Sequence, residues 1–277
     1  MISSETIREY SAVRDGGAGL IDLSASRSRI RVSGSEATMF LNGLITNDIK
    51  ALGEQEWMPA VFPTVQGRVI GVVRILRDDK GFLIDTENAA RDAILKTISR
   101  FTLAGDFRVS DETSETAMLT VQGKRAREII SAAGEFFAIR ATHTGEQGFD
   151  LLLDASERVA VTEKLIAAGA QTVGPEAFEI LRIEAGIPRH GQDMDESNVV
   201  LEANLDDAIS YTKGCYVGQE IIIRIKHRGH VAKKLSGLKL DQPVESNATI
   251  TAEDGKEIGR VTSATYSPKL ESSIALG

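Results

Sequence analysis

The stretch GRVIGVVRILRDDKGFLIDTE, residues 67–87, decides the fold class of this chain. It contains two apolar runs rich in β-branched residues, and residues 78–80 between them have the composition of a tight turn. A third apolar run, WMPAVFPT at residues 57–64, precedes the stretch and is joined to it by another turn at residues 66–67. Because short turns join antiparallel neighbours, we predict a three-stranded antiparallel meander.

Helices flank this meander, but they do not alternate regularly with strands. We predict a helix in SGSEATMFLNGLI, residues 33–45, where Ser33 and Glu36 have capping-box spacing. A second helix is expected from about Asn88 to Leu103, and a third in GPEAFEILRIEAG, residues 174–186. Further strands are predicted in GLIDLS, SRIRVSG, TAMLTVQG and FDLLLD. The predicted fold class is therefore α+β.

The pattern changes to short β segments after Gly229. We therefore predict one region from residue 1 to 229 and a small C-terminal β domain from 230 to 277. The pattern stops in the middle of a β segment at Gly277, which leaves an incomplete barrel as an open alternative.

Charge and composition exclude several classes of protein. The 277 residues carry a net charge of −8, which argues against a general nucleic-acid binder. One cysteine excludes an intrachain disulfide and a four-thiolate zinc site, and no metal site is expected. No apolar run approaches the ~20 residues of a membrane helix, and the N-terminal sequence resembles neither a signal nor a transit peptide. We expect a cytoplasmic protein that does not bind membranes.

The single cysteine, Cys215, lies in TKGCYVGQE at residues 212–220. A lone cysteine is most often a small buried apolar residue. Here, however, Gly214 and Gly218 permit a tight backbone path, and Lys213 is two positions away. Backbone amides and a cation stabilise a thiolate, so a reactive thiol is an equally good interpretation.

Two further charged residues admit both a structural and a functional interpretation. Asp48 follows an amphipathic helix in LITNDIKAL, where it either terminates the helix in a turn or presents a carboxylate at a pocket. Arg182 lies in the helix FEILRIEAG with Glu179 three residues before it. An exposed ion pair is the simpler reading, but the spacing of Arg182 from Phe178 places it toward the apolar face, where it needs an anionic or carbonyl partner.

The segment THTGEQGFDLLLD, residues 142–154, carries His143 and Asp150. Asp150 directly precedes an apolar run and therefore lies at the start of a strand. A carboxylate there either bonds backbone amides or accepts paired N–H donors from a ligand. The residues alone favour the structural role, and His143 is interpreted as an ordinary histidine at a strand end.

Basic residues alternate in RIKHRGHVAKK, at Arg224, Lys226 and Arg228. On a strand they would share one face and attract an anion. A solvated edge whose charges discourage aggregation is at least as good an explanation.

These stretches together resemble one family, the glycine-cleavage T-protein (aminomethyltransferase) superfamily, and more closely its YgfZ branch. RVSGSEATMFLNGLITND is similar to the N-terminal helix and Asp-bearing loop of the superfamily. THTGEQGFDLLL and ILRIEAGIPRHGQDM resemble its next two conserved stretches, and IGRVTSATYSPKLESSIALG its C-terminal barrel. KGCYVGQE resembles the YgfZ signature, where T-proteins carry a related sequence without the cysteine.

The resemblance implies a cloverleaf of three mixed α/β modules, including a small C-terminal β-barrel, that binds tetrahydrofolate in a central channel. It implies that Asp48 lies near the folate nitrogens, that Asp150 accepts from the pterin, and that Arg182 contacts folate. His143 stands where T-proteins have tyrosine, and Asp150 where they usually have glutamate.

The YgfZ branch is associated with folate-dependent assembly or repair of iron–sulfur clusters. We therefore expect an accessory protein in which Cys215, with Lys213 and Asp48, acts on an iron–sulfur carrier or client protein. The alternative is a folate-dependent aminomethyl- or methyltransferase, and the sequence leaves open whether a reaction is catalysed. A third alternative, an RNA-binding accessory, is disfavoured by the acidic charge and by the lack of aromatic residues among the basic ones.

Overall fold

The computed structural model describes residues 2–100, 102, 105–229 and 231–277, which divide into two compact units. Unit 1 comprises Met1–Ser24, Glu115–Pro188 and Ser236–Gly277, and unit 2 comprises Ala25–Ser114 and Arg189–Leu235. Both units combine helices with mainly antiparallel sheets, so the predicted α+β class is confirmed.

The helices and strands are numbered in chain order. Within the described residues the helices are α1 (Ser4–Arg14), α2 (Ala37–Leu44), α3 (Asn88–Ser99), α4 (Ala126–Ala133), α5 (Arg158–Ala167), α6 (Pro175–Glu184) and α7 (Gln219–Arg228). The strands are β1 (Gly19–Asp22), β2 (Arg27–Ser33), β3 (Trp57–Pro63), β4 (Val69–Asp78), β5 (Gly81–Glu87), β6 (Arg108–Asp111), β7 (Thr116–Gln122), β8 (Ala138–Arg140), β9 (Gly148–Asp154), β10 (Gln171–Thr172), β11 (Gly237–Leu240), β12 (Thr249–Thr251), β13 (Glu257–Arg260), β14 (Ser263–Ser267) and β15 (Ser272–Leu276).

Unit 2 is built on the predicted meander. Strands β3, β4 and β5 pair antiparallel, and β2 and β6 extend the sheet to the order β3-β4-β5-β2-β6. The turn after β4 closes with Asp78 paired to Gly81, whose φ of +118° suits glycine. The meander prediction is confirmed because the apolar runs and the turn residues specified the same pairing.

Helix α3 packs on this sheet through its buried residues Ala90, Ile94 and Ile98. Gly71 of β4 allows the close approach, since a Cβ there would lie 2.7 Å from Cδ1 of Ile94. The helix ends at Ser99, and the predicted end at Leu103 falls outside the described residues. A second apolar cluster in unit 2 includes residues of β3, β4 and α7, and it also contains Tyr216.

The predicted helix after β2 is present as α2, but the predicted capping box is wrong. Glu36 is itself the N-cap residue, and it makes no side-chain capping bond. Its carboxylate instead accepts the backbone N–H of Asp106 at 2.8 Å. Local spacing of Ser33 and Glu36 could not show this long-range acceptor.

Unit 1 contains a five-stranded sheet in the order β10-β1-β7-β9-β8. The β1–β10 pair is parallel and the other pairs are antiparallel. Helices α4 and α5 pack on the sheet, where Ile129 and Leu165 join Leu119 and Leu151 in one buried cluster. Strand β9, which carries Asp150, therefore lies inside the sheet between β7 and β8.

The C-terminal β domain is present, as predicted. Strands β11, β15 and β14 form one antiparallel sheet, and β12 pairs with β13. Helix α6 packs against β14 and β15 and also against α1. Pro175 opens α6 and Gly186, with φ of +67°, follows it, as the sequence predicted.

Candidate functional site

Asp48 lies in the loop that follows α2. Its carboxylate accepts the backbone N–H of Lys50 at 3.1 Å and caps a 3₁₀ turn at Ile49–Ala51. The neighbouring Asn47 donates its side-chain amide to the carbonyl oxygen of Pro59 at 2.8 Å. Asp48 is half-buried, so it combines the turn role with a carboxylate that retains some access to solvent.

The ammonium group of Lys213 holds the same loop from inside unit 2. Lys213 is only 8% exposed, and Nζ donates to the carbonyl oxygens of Asn42 at 2.6 Å, Ile45 at 3.0 Å and Asn47 at 2.7 Å. Three acceptors match the three N–H bonds of an ammonium group. Nζ also lies 5.0 Å from the centroid of the Tyr216 ring.

Burial lowers the pKa of Lys213 to about 8, although the nearby Asp48 carboxylate opposes that change. The sequence placed Lys213 beside the thiol as an activating cation. The structure instead directs its ammonium group to the backbone of the Asp48 loop, which is a correction to that expectation. Sequence spacing could not show it because the acceptors are 166 to 171 residues away.

Cys215 is exposed and unpaired, so the interpretation as a buried apolar residue is wrong. The backbone around it is held on both sides, by Lys213 and by the N–H of Val217, which donates to the carbonyl of Gly43 at 3.0 Å. Gly218 has φ of +76°, and a Cβ there would lie 2.4 Å from the carbonyl oxygen of Thr64. The thiol is therefore displayed on a well-defined backbone.

The buried Asp150 and the half-buried His143 form a pair in unit 1. Asp150 is 1% exposed on β9, and Nε2 of His143 lies 3.0 Å from its Oδ1 and 3.2 Å from its Oδ2. His143 is therefore more than an ordinary strand-end histidine, because its ring fixes the orientation of the carboxylate. A carboxylate offers about four lone-pair directions, so it can accept from more than one donor at a time.

Gln122 organises the loop that carries His143, and the sequence analysis missed it. Its side-chain oxygen accepts the backbone N–H of His143 at 3.0 Å and the hydroxyl of Thr144 at 3.2 Å, and its amide donates to Ala141 at 3.1 Å. Gly148 leaves room for this side chain, since a Cβ there would lie 2.1 Å from Nε2 of Gln122. The sequence offered one signal for this role, which is that the apolar run TAMLTVQG places the polar Gln122 near its end.

A second network that the sequence analysis missed fixes the other side of this loop. Arg14 of α1 donates to Glu146 at 2.7 Å and to Glu184 of α6 at 3.0 Å. Tyr10 also donates to Glu184, at 2.9 Å, and burial together with this carboxylate raises the pKa of Tyr10 to about 12. The loop before β9 is thus bonded to α1 and, through Arg14, to α6.

Arg182 lies on the buried side of α6, as its spacing indicated, with a side chain that is 3% exposed. Its guanidinium donates to Glu179 at 3.0 Å, to the carbonyl of Ile187 at 2.7 Å and to the hydroxyl of Ser263 at 2.8 Å. The interpretation as an exposed ion pair is wrong. These bonds tie α6 to the start of β14.

The predicted basic stripe on a strand is also wrong. Residues 219–228 form α7, and on a helix positions two apart lie on different faces. Arg224 pairs with Glu220, and Lys226 donates to Asp206 at 2.9 Å. Of the isoleucines in this helix, Ile222 is buried in the cluster that contains Val61 and Val69, and the others are half-buried.

The structure thus brings the predicted residues together in two groups. Asp48, Lys213 and Cys215 belong to unit 2, and His143, Asp150 and Arg182 belong to unit 1. A separate cavity of about 680 Å³ in unit 1 has mainly apolar walls and contains none of these six residues. Among the described residues, no three histidine, cysteine or acidic side chains cluster as metal ligands would, and no helix has the length and apolar character to cross a membrane.

Comparison with known proteins identifies relatives over almost the whole chain. The family profile described as the GCVT N-terminal domain matches residues 2–136 and 132–213, and that of the glycine cleavage T-protein C-terminal barrel domain matches residues 233–277.

Two relatives are named aminomethyltransferases. That of Rubrobacter xylanophilus is 32% identical over 97% of this chain and 77% of its own length. That of Alcanivorax borkumensis is 28% identical over 98% of this chain and 80% of its own length.

The crystal structure of the glycine cleavage system aminomethyltransferase T from Bartonella henselae has the same fold. It superposes with a TM-score of 0.87 at 24% identity, covering 98% of this chain and 80% of that one.

Proposed function

This chain belongs to the glycine-cleavage T-protein family, and on that premise we propose that it binds tetrahydrofolate and transfers a one-carbon group to it. Aminomethyl transfer is the leading reaction because both relatives described above are named aminomethyltransferases. In this reaction the carbon–sulfur bond of an aminomethyl-lipoyl donor breaks. The carbon becomes bonded to two folate nitrogens, whose protons pass to the leaving ammonia and to the sulfur. The dihydrolipoyl group is thereby left with two thiols. The family names thus favour the transferase over the accessory role.

The observation that supports folate binding best is the pair of Asp150 and His143. A buried carboxylate needs partners, and the amino and ring N–H groups of a pterin are two parallel donors that suit it. His143 contacts both carboxylate oxygens, and we propose that the pterin donates to the same carboxylate, adding to or exchanging the bonds it already accepts. The loop that carries His143 is fixed by Gln122 and Arg14, so the pair is organised before a ligand arrives.

Asp48 is proposed as the carboxylate near the reacting folate nitrogens, where it can accept a proton. Its partial exposure and its fixed 3₁₀ turn suit that role. The role proposed for Arg182 differs, because several of its N–H groups already donate to Glu179, Ile187 and Ser263. It would contact folate only by adding to or exchanging these bonds, and its proposed main contribution is to fix α6.

Calorimetric titration of tetrahydrofolate tests the binding proposal, using the wild type, Asp150→Ala and Asp154→Ala. Asp154 lies at the exposed end of the same strand and is a matched control. We expect binding by the wild type and Asp154→Ala, and loss of binding by Asp150→Ala. The second measurement is formation of methylenetetrahydrofolate from an aminomethyl-lipoyl donor. Binding without turnover would overturn the transferase and leave the accessory role.

A specific observation supports that second role, which is assistance to iron–sulfur cluster assembly. Cys215 is exposed on a backbone fixed by Lys213 and Gly218, within a motif that resembles the YgfZ signature. A single thiolate cannot hold a cluster, which usually has four protein ligands. The proposed action is therefore a transient contact between the thiol and an iron–sulfur carrier or client protein.

The variant Cys215→Ser separates the two roles. If the thiol carries the function, this variant keeps its folate affinity and melting temperature but fails to restore iron–sulfur enzyme activity in a strain that lacks the protein. Full complementation by Cys215→Ser would overturn the accessory role. Unchanged aminomethyl transfer in the same variant would favour the transferase.

A further inference from the structure

A buried ammonium group that bonds only backbone carbonyls and faces an aromatic ring is costly to place, because burial disfavours its charge. Lys213 is such a group within the described contacts. Its acceptors are not scattered. They all lie between residues 42 and 47, at the end of α2 and in the loop that leads to Asp48.

These three carbonyl groups need a donor because of where they lie. The last carbonyls of a helix have no partner within the helix, and Asn42 is in the last turn of α2 while Ile45 is its C-cap residue. A cation at a helix C-terminus also interacts favourably with the helix dipole. The third acceptor, Asn47, directly precedes Asp48, so the bond network continues to the residue with the proposed chemical role.

We propose that Lys213 is a positioning residue, whose ammonium group fixes the loop of residues 42–48 and thereby sets the place of the Asp48 carboxylate. We call the three hydrogen bonds from Lys213 to the carbonyls of Asn42, Ile45 and Asn47 the clamp. The role of Asp48 in this inference rests on the proposed function, but the clamp does not. It also explains why Lys213 and Cys215 belong to one motif. The chain that displays the thiol is bonded to the Asp48 loop on both sides of it, through Lys213 and through Val217.

The same loop has other bonds that report on the clamp. The N–H of Ile49 donates to the side-chain oxygen of Asn42 at 3.1 Å, and the N–H of Asp48 donates to that of Asn47 at 2.9 Å. If the clamp holds the loop, removing it should increase local opening at these amides. Opening of the central meander should change much less, because β4 and β5 are held by their own ladder.

Amide hydrogen exchange in Lys213→Met is the decisive experiment. Methionine keeps the length of the side chain but donates no hydrogen bonds. We expect exchange at residues 46–50 to accelerate by about tenfold to a hundredfold, the factor expected for lost bonds to a charged donor. Exchange in β4 and β5 should change by less than about threefold. Equal acceleration everywhere would reduce Lys213 to a general stabilising residue, and no local acceleration would overturn the proposal.

Lys226→Met is the matched control in the same unit. Lys226 is more exposed and pairs with Asp206 by its side chain. The same substitution there should leave exchange at residues 46–50 unchanged. If Lys213→Met does not fold, the clamp can still be tested in the wild type. Its prediction there is that the ammonium protons of Lys213 exchange slowly with solvent in nuclear magnetic resonance spectra at pH 6. Rapid exchange of those protons would overturn the clamp.

Steady-state kinetics test the role of Asp48, which is the part of the inference that rests on the proposed function. For aminomethyl transfer, displacement of Asp48 in Lys213→Met should lower kcat by about tenfold or more while KM changes by less than about threefold. An unchanged kcat in a protein whose loop has opened would disconnect the clamp from the reaction. A wild type that neither binds tetrahydrofolate nor turns over would overturn the proposed function, while the exchange data would still decide the clamp.

Discussion

Nε2 of His143 lies 3.0 Å from Oδ1 of Asp150, and the backbone of His143 is held by Gln122. The carboxylate is therefore oriented by a ring whose own position is fixed by a third residue on the neighbouring strand β7. Burial removes the hydration of this carboxylate, and hydrogen-bond donors in the protein offset that cost. A bound pterin would supply further donors to the same group.

Asp150→Asn should weaken binding of tetrahydrofolate by about tenfold or more. The amide offers one acceptor oxygen instead of two, and its NH₂ group would oppose either His143 or the donors of the pterin. Calorimetry measures the effect. Asp154→Asn, at the exposed end of β9, should bind as the wild type does, and equal affinity in both variants would move the pterin away from Asp150.

Gly218→Ala should lower the free energy of unfolding by more than ~1 kcal/mol. The new Cβ would lie 2.4 Å from the carbonyl oxygen of Thr64, and φ of +76° is unfavourable for alanine. Gly214→Ala is the control, because a Cβ at Gly214 has no heavy atom within 4 Å. Urea unfolding of the two variants should therefore differ clearly, and similar stabilities would contradict the structure of this motif.

Raising the pH should stabilise the protein through Lys213. Its pKa is about 8 in the folded protein, because of burial, and returns toward 10.5 on unfolding. Between these values the unfolded chain binds more protons, so the free energy of unfolding rises with pH by at most about 3 kcal/mol. Asp48 opposes this lowering of the pKa and Lys50 reinforces it.

Urea unfolding of the wild type and Lys213→Met from pH 7 to pH 10 isolates the contribution of Lys213. Other lysines and tyrosines titrate in both proteins and cancel in the difference. The wild type should gain stability relative to the variant as the pH rises. A constant difference would mean that the ammonium group keeps its ordinary pKa in the folded state.

Lowering the pH should destabilise the protein through His190. Burial lowers the pKa of His190 below 6.5, although Glu87, Asp195 and Glu196 oppose this. Among the described residues, its buried Nδ1 has no hydrogen-bond partner. The unfolded chain therefore takes up the proton first as the pH falls below 6.5, and stability is lost from there down to the lowered pKa. His190→Leu should lose less stability than the wild type between pH 7 and pH 5, as measured by melting temperature. Parallel pH curves would refute the role of His190.

The elements that were predicted correctly are those in which local pattern and turn chemistry agree. Strands β4 and β5 have apolar runs and a turn at residues 78–80, and α6 has a proline at its start and a glycine after its end. The class of fold followed from such segments. The C-terminal strands were also visible, because short β segments follow each other there without a helix.

The failures share one physical reason, which is that the deciding partner lies far away in sequence. Glu36 bonds Asp106, and Lys213 bonds carbonyls near residue 45, so local spacing assigned both residues the wrong partner. Arg224, Lys226 and Arg228 would share a face only on a strand, and their alternation did not reveal that residues 219–228 form a helix. Asp150, Asp48 and Cys215 were proposed from residue type and resemblance, whereas the roles of Gln122 and Arg14 follow from their contacts.

The position of β1 in its sheet has a consequence for biosynthesis. Strand β1 ends at Asp22, but its two neighbours, β7 and β10, begin at Thr116 and Gln171. At about 5–20 residues per second, a ribosome takes from several seconds to more than ten seconds after β1 to reach the start of β7. During that time both edges of the apolar segment GLID lack their final partners, whereas the β3–β5 meander can pair as soon as it emerges. We therefore expect mispairing during synthesis to threaten strand β1 more than the β3–β5 meander.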